Sequence, residues 1–263
     1  MGTRPNVLLT NDDGLGAPGL EALEELLSSV ADVTTIAPAT NRSGAGRAHS
    51  RNFTVTERDS GIQVDGTPCD CVIYGIEGLD ETFDLVVSGC NDGPNIGEVK
   101  IHRSRTISAA AEAVYLDTPA ISASLYDPAY PVTQEFAPED FSRGVAPIEY
   151  LVSNLDRILP EEPTAYLNVN LPSVPTDQIR LTQPLSRYDV SITEEAGEIS
   201  VKKGWYDPLL ADHSAEVLAE IDEHYTDRRA LADGVVSVSP LVNQHSVDAP
   251  ANTEEMLNAY DPG

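Results

Sequence analysis

Lysine is almost missing from this chain of 263 residues. Only Lys100, Lys202 and Lys203 are lysine, arginine supplies the rest of 16 basic residues, and 43 residues are acidic. A net charge of −27 leaves no positive face for a phosphodiester backbone, which excludes nucleic-acid polymers as partners. The acids are spread along the whole chain rather than gathered in a tail. A uniform excess of this kind is expected in a salt-saturated cytoplasm, where carboxylates keep the surface hydrated and ions screen their repulsion, and it points to a halophilic archaeal source. Long apolar runs are missing too. Leu85-Val86-Val87 is the size of a strand, far short of the roughly 20 residues that span a bilayer, so no membrane association is expected. Met1 to Asn6 carries no apolar stretch, so the expectation is a cytoplasmic protein without a secretory signal. Cysteine is scarce and odd in number: Cys69, Cys71 and Cys90. That excludes a disulfide framework, and the single residue between Cys69 and Cys71 is not the spacing of a structural zinc site. Buried small side chains in a reducing compartment are the better reading.

What is present is enough apolar residue, 41%, for a substantial core, arranged in alternating strand and helix patterns. Val7 to Thr10 is a short β-rich run ending in Asn-Asp-Asp-Gly, followed by Pro18 to Ser29 with Leu20, Leu23, Leu26 and Leu27 at helical spacing. Val33 to Pro38 predicts a second strand, Phe53 to Thr56 and Gly61 to Val64 a hairpin, and Asp84 to Gly89 a third parallel-type strand. Thr67 and Pro68 open a short helix as N-cap and first turn. Ile107 to Tyr115 and Phe141 to Leu159 read as helices, and Thr118 to Ser124 and Ala165 to Leu171 as strands. The alternation predicts an α/β fold, a Rossmann-like, doubly wound, mostly parallel sheet with ligands at the carboxyl ends of its strands. Residues 1–180 form this catalytic core. Beyond them the pattern weakens, and 181–263 read as an extended C-terminal β-arm that returns to the core. Thr182 to Gly204 suits extended structure, Ala215 to Glu223 is ambiguous, Gly234 to Leu241 is strand-like and Asn252 to Gly263 is a short helix or frayed end.

Asp12 and Asp13 are adjacent acids at the end of a buried strand. Two carboxylates there repel each other and lose hydration unless a cation neutralises them, and oxygen donors suit a hard ion. The plainer alternative is an Asx turn, since Asp before Gly is ordinary loop chemistry. Gly14-Leu15-Gly16-Ala17-Pro18-Gly19 fits a dinucleotide fingerprint, but no acid closes the second strand to hold a ribose, and pyrophosphate would face both carboxylates. An aspartyl-phosphate mechanism needs a second Asp two residues from the first. Asp12 is followed at that spacing by Gly14 and Asp13 is preceded by Asn11, so that route is closed. Asn41-Arg42-Ser43-Gly44 after the second strand, and Ser88 to Gly97 after the third, are further polar loops. The latter is rich in glycine, proline and asparagine, which lets amides approach an ion closely. Ser104, Thr106 and Ser108 precede or open a helix whose N-terminus could receive phosphate.

These blocks together resemble the SurE family of stationary-phase survival proteins, which are 5′/3′-nucleotidases. The resemblance is carried by VLLTNDDGLGAPGL at 7–20, Asn41 to Gly44, Gly66 to Val72 and Asp84 to Gly97, and continues through Leu167 to Pro172, Thr226-Asp227 and Val236 to Leu241. It implies hydrolysis of nucleoside monophosphates with one divalent cation, magnesium or manganese, and an arm used in homodimer or homotetramer assembly. It implies metal ligands at Asp12, Asp13, Ser43 and Asn91, with Asp12, Asp13 and Asn91 carrying the chemistry. The phosphate falls among Asn95, Gly93, Ser104, Arg105 and Thr106. The chain departs from the family pattern at Arg105, where a glycine is usual, and around Ala45 to Arg51, where His49 is an unassigned candidate proton donor. Arg105 either binds phosphate or obstructs the pocket. In the second case the chain is a non-catalytic nucleotide or phosphate binder, and its other possible role is a surface ion pair with the acidic background.

Overall fold

The computed structural model describes residues 4–41, 48–129, 135–159, 165–195, 197–204, 209 and 214–243. In chain order the strands are β1 (Asn6–Thr10), β2 (Asp32–Pro38), β3 (Val55–Arg58), β4 (Gly61–Val64), β5 (Leu85–Asp92), β6 (Ala120–Tyr126), β7 (Ala165–Pro172), β8 (Ile179–Leu181), β9 (Val190–Glu195), β10 (Glu198–Lys203) and β11 (Val236–Val242). The helices are α1 (Pro18–Leu27), α2 (Pro68–Ile73), α3 (Gly97–Ile101), α4 (Arg105–Tyr115), α5 (Pro138–Gly144), α6 (Ala146–Ser153), α7 (Leu155–Ile158), α8 (Ser214–Ile221) and α9 (Asp227–Ala232).

One sheet runs in the order β3-β4-β2-β1-β5-β6-β7-β11-β8. Its centre, β4-β2-β1-β5-β6-β7, is parallel throughout, while β3 and β11 pair antiparallel with β4 and β7. This is the mostly parallel, doubly wound architecture that the alternating pattern predicts. From β1 the chain steps outward to β2 and β4. It then returns to β5 and steps the other way to β6 and β7. The carboxyl ends of β1 and β5 therefore flank the topological switch point, where an open α/β sheet leaves a crevice.

The central strands are buried on both faces, which is why they read as continuous apolar runs. Val7, Leu9, Leu85 and Val87 pack with Leu20, Leu23 and Leu27 of α1 and with Phe141 and Ile148 beyond them. Leu8 and Val86, pointing the other way, pack with Val72 of α2 and Ile107, Ala110 and Val114 of α4. Each such aliphatic side chain contributes about 1.5–3 kcal/mol by leaving water.

Three elements differ from the sequence reading. The helix expected over Phe141 to Leu159 is three short ones, because Gly144 ends α5 and Pro147, in the first turn of α6, has no N–H to continue a ladder. Strand β5 continues through residues that read as loop, to Asp92. Ala215 to Glu223, ambiguous by pattern, is mostly helical as α8. The expected capping of α2 is present and is reciprocal: Asp70 N donates to Thr67 Oγ1 at 3.2 Å and Thr67 N to Asp70 Oδ2 at 2.7 Å. Residues 244–263 lie outside the described residues. Strands β9 and β10 form a separate antiparallel hairpin, whose Val190, Ile192, Ile199 and Val201 share one exposed face. Helices α8 and α9 are joined by a fully buried ion pair, with Arg228 Nε and Nη2 on Asp222 Oδ2 and Oδ1 at 2.7 and 2.6 Å.

Candidate active site

The loop after β1 is shaped by Asn11 and Gly14. Asn11 Oδ1 accepts from Gly14 N at 3.1 Å and Asn11 Nδ2 donates to Gly14 O at 3.0 Å. Gly14 has φ +110°, where a side chain is strained, and the neighbouring Leu15 N donates to Pro38 O at 3.0 Å. The ends of β1 and β2 are thereby stitched together, with Asp12 and Asp13 held between Asn11 and Gly14. Asp12 is 3% exposed and its Oδ1 accepts the hydroxyl proton of fully buried Thr106 at 2.7 Å. Asp13 Oδ1 accepts from Asn41 Nδ2 at 2.9 Å.

On β5 the backbone is re-aimed before it reaches the crevice. Ser88 pairs with Ser122 and Asn91 with Ser124, so three steps on β5 oppose two on β6. Gly89, at φ +147°, makes this possible, since a Cβ there would sit 2.4 Å from Ala123 O. Asn91 Nδ2 donates to Gly93 O at 2.5 Å, which fixes which end of the amide is the oxygen. Gly93 faces open space. Asn95 is buried and tied into the sheet: its N donates to Asn170 Oδ1, its Nδ2 to Ser124 Oγ, and its carbonyl accepts from Asn168 and Asn170. Its amide thus braces the loop first. Next to it, fully buried Asp227 accepts from Gly97 N at 2.7 Å and Leu185 N at 3.0 Å. Burial pushes the Asp227 carboxyl up to about 6, opposed by the Gly97, Leu185 and Arg228 amides and by the Arg228 charge.

Helix α4 closes the third side. Ser104 is its N-cap, with its hydroxyl oxygen accepting from Ile107 N at 3.2 Å. Thr106 engages Asp12, so its hydroxyl orients a carboxylate where sequence alone placed it toward phosphate. Arg105 is part-buried, and its Nε and Nη1 are sealed from solvent without a hydrogen-bond partner. The surface ion pair considered for Arg105 is absent among the described residues. Thr10 Oγ1 and Ser88 Oγ, on directly paired residues of β1 and β5, also have no oxygen or nitrogen partner. Thr10 has only the weak Cys71 thiol beside it. Both follow the face of Leu8 and Val86, the face that α4 covers. Among the described residues, the other buried side-chain atom without a partner is Asn243 Oδ1. Native interiors usually satisfy such groups, and three of these four residues belong to β1, β5 and the start of α4, the elements that carry the site.

Ser43 and Arg42 lie outside the described residues, but the flanks of their loop are anchored at the site. Asn41 holds Asp13. On the other side, Ser50 N and Oγ donate to Asp70 at 2.7 and 2.8 Å, and Thr67 Oγ1 donates to Ala48 O at 2.8 Å. Burial acts to raise the Asp70 carboxyl, yet these hydrogen bonds outweigh it and hold Asp70 below the usual range. The Gly66 to Val72 motif therefore fixes Ala48 and Ser50. His49 lies elsewhere: it lines a cavity of about 130 Å³ with Cys69, Ser108 and Glu112, and neither Asp12, Asp13 nor Asn91 reaches it. The three cysteines are buried and none is in a disulfide. Burial, with the charges of Asp13 and Asp92 adding to it, pushes the Cys90 thiol far up, which keeps Cys90 in its unreactive thiol form.

Asn41, Asn11, Asp70 and Asp227 all lie in blocks that the sequence singled out, but none was given a role of its own there. The side-chain donors that the ends of β1 and β5 supply are carboxylate and amide oxygens. No group of three or more His, Cys, Asp or Glu side chains that could hold a metal ion occurs among the described residues. The set fits a hard divalent cation.

The fold and this crevice define a doubly wound α/β protein with an oxygen-lined site at its switch point. The family model for Survival protein SurE matches residues 7–191, and the chain belongs to the SurE family. It is 42% identical over 249 residues to the 5′-nucleotidase SurE of Natronomonas pharaonis, covering 91% of this chain and 93% of that one. It is 39% identical to that of Halobacterium salinarum, covering 93% of each. The SurE protein crystal structure from Aquifex aeolicus superposes with a TM-score of 0.73 at 29% identity, over 97% of this chain and 98% of that one. The first two relatives come from halophilic archaea, in agreement with the acidic composition. No described helix is long and apolar enough to cross a membrane.

Proposed function

We propose that this chain is a divalent-metal-dependent 5′-nucleotidase that hydrolyses nucleoside monophosphates, 3′ as well as 5′, to nucleoside and phosphate. The observation that carries the reading is the buried Asp12 carboxylate, gripped by Thr106 and set with Asp13 and Asn91 at the switch point. Asp12, Asp13, Asn91 and Ser43 would hold one magnesium or manganese ion, which when bound supplies Lewis-acid stabilisation of phosphoryl charge and lowers the pKa of a water for in-line attack. The protein's own groups do the rest. Thr106 fixes the Asp12 carboxylate and Asn41 that of Asp13. The Asn95 network holds the Asn91–Gly97 loop rigid, and Gly93, Asn95, Ser104 and Arg105 border the phosphate. No aspartyl nucleophile is used. Three buried cysteines, none in a disulfide, favour a reducing cytoplasm as the place of work.

The test is phosphate release from AMP and GMP in molar potassium chloride. Release is expected with manganese or magnesium and is expected to stop on chelation. Turnover that survives chelation would refute metal dependence, and no release from any nucleotide would leave a non-catalytic binder.

The arm, 181–263, is read as the assembly element of a homodimer or homotetramer. An isolated two-stranded hairpin is marginal in water, yet β9–β10 presents Val190, Ile192, Ile199 and Val201 together on an exposed face. Ile192→Asp is expected to lower the mass measured by light scattering toward that of one chain. An unchanged mass would move the interface elsewhere.

A further inference from the structure

In a chain with 43 acids, arginines find carboxylates easily. Arg4 meets Asp32, Arg143 meets Asp140, Arg180 and Arg229 meet Asp233, Arg187 meets Asp189 and Arg228 meets Asp222. Arg105 is the contrast, because it is part-buried with two sealed nitrogens and no acceptor. A guanidinium cannot shed its charge, so sealed donors without an acceptor are held at a cost. Arg105 is also the first residue of α4, directly beside Thr106 and hence beside the grip on Asp12. The first-turn amides of this 11-residue helix open toward the same end. Of these, the Ile107 amide is taken by the Ser104 side chain. An anion is the acceptor that best matches a guanidinium, and no carboxylate among the described residues fills the role.

We infer that Arg105 is a built-in oxyanion receptor, which holds the phosphoryl group of the substrate and then the released inorganic phosphate without help from the metal. The identity of that occupant rests on the phosphomonoesterase reading. Where the family pattern has glycine and close backbone approach, this chain uses a side-chain charge. That suits a protein of net charge −27 drawing a dianion out of concentrated chloride. It also makes inorganic phosphate a product inhibitor.

The experiment uses the full chain treated with EDTA, inorganic phosphate as the probe, and both calorimetric titration and thermal melting in molar potassium chloride. Wild type is expected to bind phosphate without metal and to melt higher in its presence. Arg105→Gly is expected to weaken binding about 10- to 100-fold, the equivalent of one or two charge-assisted hydrogen bonds, and Arg105→Lys to fall between. Arg105→Met, which keeps apolar bulk and removes the unmet charge, is expected to melt at or above wild type without phosphate and to ignore added phosphate. A merely structural arginine behaves oppositely: Arg105→Met melts lower and phosphate acts equally on both. Equal phosphate affinity across the variants, phosphate binding only with metal, or protection by chloride but not phosphate would each overturn the inference. The two readings fail separately. Absent turnover with Arg105-dependent phosphate binding removes the hydrolase and keeps the receptor, while full turnover with Arg105-independent phosphate binding does the reverse.

Discussion

Asp12→Ala is expected to lower kcat/KM for hydrolysis of a nucleoside 5′-monophosphate by about 10³-fold or more. A Lewis-acid metal contributes several kcal/mol of transition-state stabilisation, and each 1.36 kcal/mol is about tenfold in rate. Among the described residues, Asp12 is the most buried of the proposed ligands, and Thr106 already donates to one of its oxygens at 2.7 Å. No neighbouring acid can therefore swing into its place without losing that contact. The effect should grade with the geometry. Asp12→Asn keeps the shape and loses the charge. Thr106→Val removes only the orienting hydroxyl and is expected to weaken divalent-cation affinity about 10- to 100-fold, with Thr106→Ser restoring most of it. Cation affinity by calorimetry, alongside phosphate release, separates lost metal from lost chemistry. An Asp12→Ala protein that binds manganese and turns over normally would sink the assignment.

Arg228→Ala is expected to cost about 3–5 kcal/mol of folding stability, because it leaves Asp222 buried without its counter-charge, and to lower the melting temperature by roughly 10 °C. Both side chains of the pair are 2% exposed, so water cannot take over. Asp227, alongside, would also lose the Arg228 charge that favours its ionised form. The double variant Arg228→Met, Asp222→Leu removes both charges and is expected to recover much of the loss, since a buried pair is often replaceable by apolar side chains of similar size. Thermal and urea melts in molar salt measure this. A single-variant loss below about 1 kcal/mol would mean that solvent reaches the pair after all.

The consequences extend to the site, because α9 is attached to it. Asp227 at the start of α9 accepts from Gly97, in the loop that carries Asn91 and Asn95, and from Leu185, which leads toward the hairpin. A loosened α8–α9 corner should therefore be felt first in the Asn91–Gly97 loop.

Much of this was legible in the sequence, and the limits are physical. Runs such as Val7-Leu8-Leu9 can only be strands buried on both faces, and Thr67-Pro68 at a helix start dictates its own hydrogen bonds, so β1 and the cap of α2 follow from local chemistry. Adjacent acids after a buried strand identify Asp12 and Asp13 for the same reason. The helix expected over Phe141 to Leu159 fails at Gly144 and Pro147, because apolar periodicity persists across breaks in the hydrogen-bond ladder. The end of β5 was hidden because Gly89, Asn91 and Asp92 have loop propensities, and only pairing with β6 holds them in the sheet.

By itself, then, the sequence determined the doubly wound core, the acidic salt-adapted surface and the residue types at the strand ends, all of which depend on short-range chemistry and composition. Tertiary structure alone decided which partner each polar group takes. It set Thr106 against Asp12, tied Asp70 to Ser50 and Thr67, and placed Asp227 between Gly97 and Leu185. It also left Arg105 sealed without an acceptor. Hydrogen bonds between residues as far apart as Asp12 and Thr106 depend on how α4 lies across β1 and β5, and no local pattern encodes that distance.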